Sequence, residues 1–345
     1  MSNGKRIQKR GQRRDMTLDD VAKMAGVAPI TASRALHKPE LVSAKTVARV
    51  LEVVERIGYV PNLLAGGLAT QKSRLIMAVI PTTINPTFSE MIEGLRDELL
   101  AAGYHLMLGL SGYSEERERE LLNAIVSRRP DGIVLTGVVH SPTLRRQITN
   151  ARIPVVETWD LTPTPIDMLV GFSNEHIGRA AADYLIDGRR RHPALLIAND
   201  ARATARREGF YAAVAARGLT VAGCEVMPAP TTVGAGRAGI RRLLESNPEI
   251  DAVFCSSDQL ALGVLLEGAA TGIAIPERVA VMGFGNLNFS ADTWPTLTTV
   301  AVEGERIGRE AARFLLDRIG NPESASNPMP RILDVGFRII KRESA

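Results

Sequence analysis

The sequence predicts an α/β chain in which a three-helix head precedes a two-lobed body of parallel sheets. Two patterns and one argument from length carry that reading. Between positions 17 and 58, apolar residues recur at helical spacing in three short blocks separated by turn residues. Beyond Thr70, strand-like runs alternate with helix-like runs, the pattern of parallel strands with helices on both faces. At 345 residues the chain exceeds one ordinary domain of ~100–200 residues. The alternating units are too many for one small sheet, so two lobes with a cleft between them are expected.

In the head, Leu18, Val21, Ala22 and Ala25 lie on one helical face. Thr17 can cap that helix, and Asp19 and Asp20 sit in its first turn, where the dipole favours anions. Gly26 supplies a turn. A second helix starts near Pro29, whose missing N–H costs nothing at that position, and runs to about Leu36. Ser43 caps a third helix through Ile57, and Gly58 ends it. In the body, strands are expected over 75–80, 104–110, 132–136, 155–157, 195–198, 252–255 and 279–284. Helices are expected over 88–102, 115–128, 174–187, 203–217, 235–245 and 258–270. The polar stretch 321–330 reads as a loop.

Composition excludes several classes. With 45% hydrophobic and 23% charged residues the chain can build a core and is not disordered. No apolar run reaches the ~18 residues that span a bilayer, and no apolar h-region follows the basic N-terminus, so neither membrane association nor a secretory signal is expected. Two cysteines, Cys224 and Cys255, give no disulfide framework and suggest a cytoplasmic protein. Five scattered histidines offer no structural zinc site, and no cofactor is expected. Charge is unevenly placed. Residues 1–62 carry twelve bases and six acids, a net +6, while the remainder is −2. A basic head on a slightly acidic body suggests that the head meets a polyanion. Residues 1–14 read as a basic flexible tail, with simple solvation as the alternative.

A helix, a glycine turn and a second helix over 17–36 form a helix-turn-helix pattern. Ala22 is small where the helices cross, and Val27, Ala32 and Leu36 can pack the second helix on the first. Pro29, Ile30, Thr31, Ser33 and Arg34 then point outward. Arg34 can read guanine bidentately and Ile30 can touch a thymine methyl. The plain alternative is a three-helix packing module with solvated bases.

This stretch resembles the lactose-repressor/galactose-repressor family of bacterial transcription regulators. The resemblance continues through Val42-Ser43-Ala44-Lys45-Thr46 and Gly58-Tyr59-Val60-Pro61-Asn62. Along the body it includes Ile153-Pro154-Val155-Val156, Arg206-Arg207-Glu208-Gly209-Phe210, Ser257-Asp258-Gln259-Leu260, Val281-Met282-Gly283-Phe284 and Pro295-Thr296-Leu297-Thr298-Thr299-Val300. Val155-Val156-Glu157, Val170-Gly171-Phe172, Val253-Phe254-Cys255 and Leu333-Asp334-Val335-Gly336-Phe337 resemble gluconate-operon repressors in particular.

The resemblance implies a DNA-binding domain over 15–58, a hinge helix over 59–70 and an effector-binding, dimerising body over 71–345 with the fold of periplasmic sugar-binding proteins. It implies a homodimer on a palindromic double-stranded operator, with Thr17, Pro29, Ile30, Thr31, Ser33, Arg34, Asn62 and Leu68 at the DNA. Leu68 matches the residue that paired hinges push into the minor groove, a wedge that kinks DNA. Gly66 and Gly67 weaken an isolated helix there by ~1 kcal/mol each, which suits a segment that orders only on DNA; a plain linker is the alternative. The head also departs from the lactose repressor: Pro29 and Ile30 replace a polar pair and Ala28 replaces a hydroxyl cap, so its operator is not transferable.

For the effector, the resemblance implies Thr82 and Phe88 on the N-terminal side of the cleft, Glu157 and Asp160 after a strand, Arg206 opening a helix and Asp258 after the strand 252–255. Ligands of open α/β sheets sit at the carboxyl ends of strands. Arg206 is the candidate fork for a carboxylate, and Glu157 and Asp258 can accept hydroxyl bonds. Asn286 stands where the lactose repressor has an aspartate. Each has a plain alternative: Asp258 as a helix cap, Glu157 as a strand end, Phe88 as core, Arg206 paired with Glu208 or another acid. The string Gly234-Ala235-Gly236-Arg237-Ala238-Gly239 fits a dinucleotide fingerprint but follows Pro228 and Pro230 rather than a strand, so small residues entering a helix explain it.

The expected function is thus a repressor of sugar-acid catabolism, located at cytoplasmic operator DNA and released by gluconate or a related small acid. Another metabolite, even a co-repressor, is the alternative within the family. A sugar transport protein would need no basic helix-turn-helix. An enzyme using Glu157 and Asp160 would lack a supporting nucleophile–histidine constellation, and no catalysis is expected.

Overall fold

The computed structural model describes residues 16–59, 73–83, 86–138, 141–321 and 330–345. The chain divides into two compact units, at Ser73/Arg74. The expected tail over 1–14, most of the hinge over 59–70 with Asn62 and Leu68, and most of the polar loop fall outside the described residues.

The head contains α1 (Leu18–Ala25), α2 (Pro29–His37), a 3-10 turn (Pro39–Leu41) and α3 (Ala44–Ile57). Thr17 and Asp20 form a reciprocal capping box at the start of α1. Gly26 ends α1 at φ +63, a left-handed conformation that costs a Cβ-bearing residue free energy. Val21, Ala25, Ala35, Val50 and Val53 form the core, with Val27, Leu36 and Tyr59 packed around it.

The body begins with β1 (Leu75–Ile80), α4 (Pro86–Ala101), β2 (His105–Leu110), α5 (Glu115–Val126), β3 (Gly132–Thr136), α6 (Pro142–Ala151), β4 (Val155–Thr158) and β5 (Met168–Gly171). It continues with α7 (Asn174–Asp187), β6 (Pro193–Ala198), α8 (Ala201–Ala216), β7 (Gly223–Met227), α9 (Val233–Ser246), β8 (Ala252–Cys255), α10 (Asp258–Thr271), β9 (Ala280–Phe284) and β10 (Thr298–Ala301). The last elements are α11 (Gly304–Gly320), β11 (Arg331–Asp334) and β12 (Arg338–Ile340).

Two sheets result, ordered β11-β5-β4-β3-β1-β2 and β12-β10-β9-β8-β6-β7. All pairings are parallel except β10 with β12. In each sheet the chain starts in the interior, steps to one edge and then winds the other way. The strand order therefore reverses beside β1 and beside β6, and such a switch point opens a crevice at the carboxyl ends. The chain passes between lobes three times, at 172–173, 302–303 and 335–337.

Each sheet is covered on both faces. Leu122, Ile125, Leu144 and Ile148 of α5 and α6 pack on Ile133, Leu135 and Val155. Met91, Leu95, Ile307 and Leu315 of α4 and α11 cover the opposite face. In the second lobe α9 and α10 cover one face. On the other, α7 and α8 approach so closely that a Cβ on Gly178 would overlap the carbonyl oxygen of Arg206, and one on Gly209 that of Glu175. This close packing fixes where α8 presents Arg206.

Candidate functional site

In the head, α2 buries Ala32 and Ala35 and leaves Pro29, Ile30 and Arg34 exposed, with Thr31 and Ser33 half-buried beside them. Ile30 is 61% exposed, unusual for a large apolar side chain, and sits one turn before the exposed Arg34. Thr17 is committed locally: its hydroxyl donates to Asp20 Oδ2 at 2.7 Å and accepts from the Asp20 N–H at 3.4 Å.

In the body, a cavity opens where the carboxyl ends of β4, β6, β8 and β9 meet α8. Phe88, Trp159, Phe172 and Phe284 give it an aromatic floor; Tyr113, Asp200, Arg202, Arg206, Thr231, Ser256 and Ser257 give it polar walls. The rings are in contact. Phe88 meets Trp159 edge-on at 5.0 Å, Trp159 meets Phe172 at 5.8 Å, and Phe172 lies 6.2 Å from Phe284. A second hollow continues from the first through Tyr113, Asp200 and Arg202 to Asp160, Ser111 and Gly137.

Arg206 is 4% exposed. Its guanidinium stacks over Phe284 at 4.2 Å. Nη1 donates to Asn174 Oδ1, and Nη2 to the Ser256 carbonyl at 3.5 Å. Nε is buried without a hydrogen-bond partner. Among the described residues no carboxylate oxygen lies within ion-pair distance of it, so the expected alternative, pairing with Glu208 or another acid, is not formed. Burial pulls its pKa down to about 10, with Asp200 opposing and Arg202 adding to the fall. The group thus remains charged at neutral pH. Arg202, one turn earlier, lies over the Phe88 ring at 5.5 Å and reaches Asp200 at only 3.8 Å. A hydroxylated anion suits such a cavity: guanidiniums take the carboxylate, hydroxyl groups and Asp200 take hydroxyls, and the aromatic floor takes C–H faces.

The structure brings Phe88, Asp160 and Arg206 to this cleft. Phe88, at 3% exposed, belongs both to the core and to the cavity lining. Asp160 Oδ1 accepts from the Leu161 N–H at 2.9 Å. Thr82 is buried just beyond β1 and does not line the cavity.

Besides Thr82, three expected effector residues are corrected. Glu157 is fully buried but faces the α5/α6 side with Val155, because alternate strand residues point oppositely. Its carboxylate accepts from the Ile166 N–H at 2.5 Å and pairs with Arg145 at 3.7 Å. It is thus neither a cleft residue nor a solvated strand end. Asp258 is not the cap of α10; Ser257 is. Its buried carboxylate accepts from the hydroxyls of Thr299 at 2.6 Å and Ser290 at 2.7 Å and from the Leu287 N–H at 2.8 Å, pinning the loop after β9. Asn286, at φ +51, accepts from Arg342 at 2.8 Å, away from the cavity.

Sequence reasoning missed Tyr113, Trp159, Asn174, Asp200, Arg202, Thr231 and Ser256. Asp200 and Arg202 follow β6 directly, so the carboxyl-end rule applied to every strand would have found them. The glycine-rich string opens α9 after a loop, and a Cβ on Gly236 would overlap the Leu260 carbonyl oxygen. It is a helix-packing surface. Among the described residues no His, Cys, Asp or Glu cluster could hold a metal, and no helix is long and apolar enough to cross a membrane.

Residues 17–62 match the model of "Bacterial regulatory proteins, lacI family", and residues 182–345 match a periplasmic binding protein-like domain. The chain is 36% identical over 330 residues to the HTH-type transcriptional regulator GntR of Pseudomonas aeruginosa, covering 95% of each chain. A LacI-family transcriptional regulator from Silicibacter pomeroyi superposes with a TM-score of 0.89 at 31% identity, covering 95% of this chain and 99% of that one. The transcription regulator GntR of Chromobacterium violaceum gives 0.73 at 36% identity, over 78% of this chain and 98% of that one. A helix-turn-helix head, a two-lobed binding body and near-full-length similarity to such regulators coincide, and the chain belongs to the lacI family of DNA-binding transcriptional regulators.

Proposed function

We propose that this chain represses genes of sugar-acid catabolism, binding a palindromic operator as a homodimer and leaving it when gluconate or a close relative occupies the cleft. In this reading the DNA-binding head is 15–58, the hinge 59–70 and the body 71–345. Ile30, Thr31, Ser33 and Arg34 read bases with Pro29 at the helix start, while Thr17, Asn62 and Leu68 complete the DNA contact.

The observation that carries the effector class is Arg206: a buried cation held by neutral partners, with Nε unpartnered, in a cavity rich in hydroxyls. A carboxylate on a polyol is the ligand that pairs such a group. The similarity to GntR regulators supports gluconate. An enzyme reading is disfavoured because Asp160 lines the cleft and Glu157 does not. Release follows if operator-bound and effector-bound conformations of the body differ in gluconate affinity, the leverage being that difference.

A thermal-shift screen of sugar acids tests the effector, since a native-state ligand stabilises by RT ln(1 + [L]/Kd). Gluconate is expected to raise the melting temperature and to weaken operator binding. Neutral sugars that bind while gluconate does not would overturn the effector class. Gluconate that binds and strengthens operator affinity would make the protein co-repressed.

A further inference from the structure

We infer that Asn174 is the positioning residue that ties the anion-binding guanidinium of one lobe to the backbone of the other, so that effector occupancy is conveyed between lobes through its side-chain amide. Asn174 is fully buried and opens α7, directly after the crossing at 172–173. Both ends of its amide are used, by groups from different lobes. Oδ1 accepts from Arg206 Nη1 on α8. Nδ2 donates to the Trp159 carbonyl, beyond β4, at 3.0 Å.

The Trp159 end is under tension. Trp159 has φ +71, a left-handed conformation costly for a bulky side chain and maintained only where surroundings over-determine it. The surroundings here are the Asn174 bond, an indole N–H donated to Met91 Sδ at 2.8 Å, and edge contacts with Phe88 and Phe172. The Arg206 end is incomplete, with Nε buried and unpartnered. A carboxylate seated on the open Nε–Nη2 edge shifts the guanidinium, and the Nη1 bond carries that shift to the Asn174 amide. Trp159 then loses or re-aims its restraint, and the segment running into Asp160 shifts in the first lobe. An amide suits this role because it joins an acceptor and a donor rigidly; a carboxylate or hydroxyl at 174 provides only part of that linkage.

The inference borrows its ligand from the gluconate reading, and the tests keep the two separable. Calorimetry measures gluconate affinity, and fluorescence anisotropy measures operator affinity with and without saturating gluconate, for wild type and Asn174→Ala. Allosteric couplings are typically about 5–150-fold. The wild type should lose operator affinity by a factor in that range on adding gluconate. Asn174→Ala, brought to its own gluconate saturation as measured by calorimetry, should show a change in operator affinity of less than about twofold. Asn174→Asp is isosteric, keeps an acceptor for Arg206 and removes the donor to Trp159; it should also fail to release DNA. Release by either variant equal to wild type would overturn the inference.

A second arm needs no ligand. The chain has two tryptophans, and in a Trp294→Phe background Trp159 alone reports. Arg206→Lys should shift Trp159 emission there, and the shift should vanish when Asn174→Ala is added. The same shift with and without Asn174 would show direct proximity and overturn the link. If gluconate fails to bind wild type, the effector reading fails, and this arm still decides the role of Asn174.

Discussion

Replacing Arg206 with methionine should move the effector response to much higher gluconate while leaving the folded protein as stable as before, or more so. The sign follows from burial. The fall of the guanidinium pKa to about 10 corresponds to ~3 kcal/mol spent on keeping the charged form inside the fold. For a base with a lowered folded pKa, the unfolded chain binds more protons as pH approaches that range. The penalty is therefore present in full below about pH 10 and is relieved only above it. Methionine removes the penalty and fills comparable apolar volume over Phe284. Against this, Asn174 Oδ1 loses its donor, at ~1–3 kcal/mol for a buried unmet group. The two nearly cancel, so the ligand-free melting temperature should hold or rise by a few degrees. Ligand binding should suffer without compensation. Losing a charge-assisted fork contact costs roughly 1.5–3 kcal/mol, or about 10–150-fold in gluconate affinity. Differential scanning fluorimetry with and without gluconate, followed by calorimetry, measures both quantities. Gluconate stabilising Arg206→Met as strongly as wild type would refute the assignment of the carboxylate to this residue. A large fall in ligand-free stability would refute the account of an uncompensated buried charge.

Arg34→Ala should cost ~1–3 kcal/mol on the cognate operator and relax selectivity at one base pair; equal losses on cognate and random duplexes in anisotropy titrations would make Arg34 a phosphate contact instead. Leu68→Ala should weaken operator binding and reduce DNA bending without changing gluconate affinity, and unchanged bending in a circular-permutation gel shift would sink the minor-groove role. Glu157→Gln should lower thermal stability through loss of the Arg145 pairing, and Asp258→Asn through loss of acceptors for Leu287, Ser290 and Thr299. Neither should change gluconate affinity by calorimetry, and a tenfold change in either would return that carboxylate to the cleft.

The architecture is readable where local chemistry decides it. Thr17, Gly26 and Pro29 punctuate the head because capping, left-handed turns and helix starts each demand particular residues. The alternation of 75–80, 132–136 and 252–255 with intervening helices announces parallel sheets. What escapes is short or at an edge. β5 and β10 are each four residues long, and β7 is a partly polar edge strand. β11 and β12 pair with partners more than a hundred and about forty residues away, respectively. The cleft divides similarly. Arg206 stands out as a cation near a helix start, whereas Glu157 misleads although its facing is legible: in a pleated strand it must share the side of Val155. Asp258 and Asn286 mislead because their partners, Thr299 and Arg342, reach them only in the folded chain. Asn174 gives no signal at all, since its importance lies in joining two lobes.

The central claim is that a sugar acid held by Arg206 lowers operator affinity. The direct test is anisotropy of a labelled palindromic operator, titrated with gluconate at fixed concentrations of wild type and of Arg206→Met. The account predicts a gluconate-dependent fall in wild-type binding, no response to ribose, and an unreleased operator for Arg206→Met across the same range. Equal release of wild type and Arg206→Met by gluconate, or release by ribose alone, would contradict it.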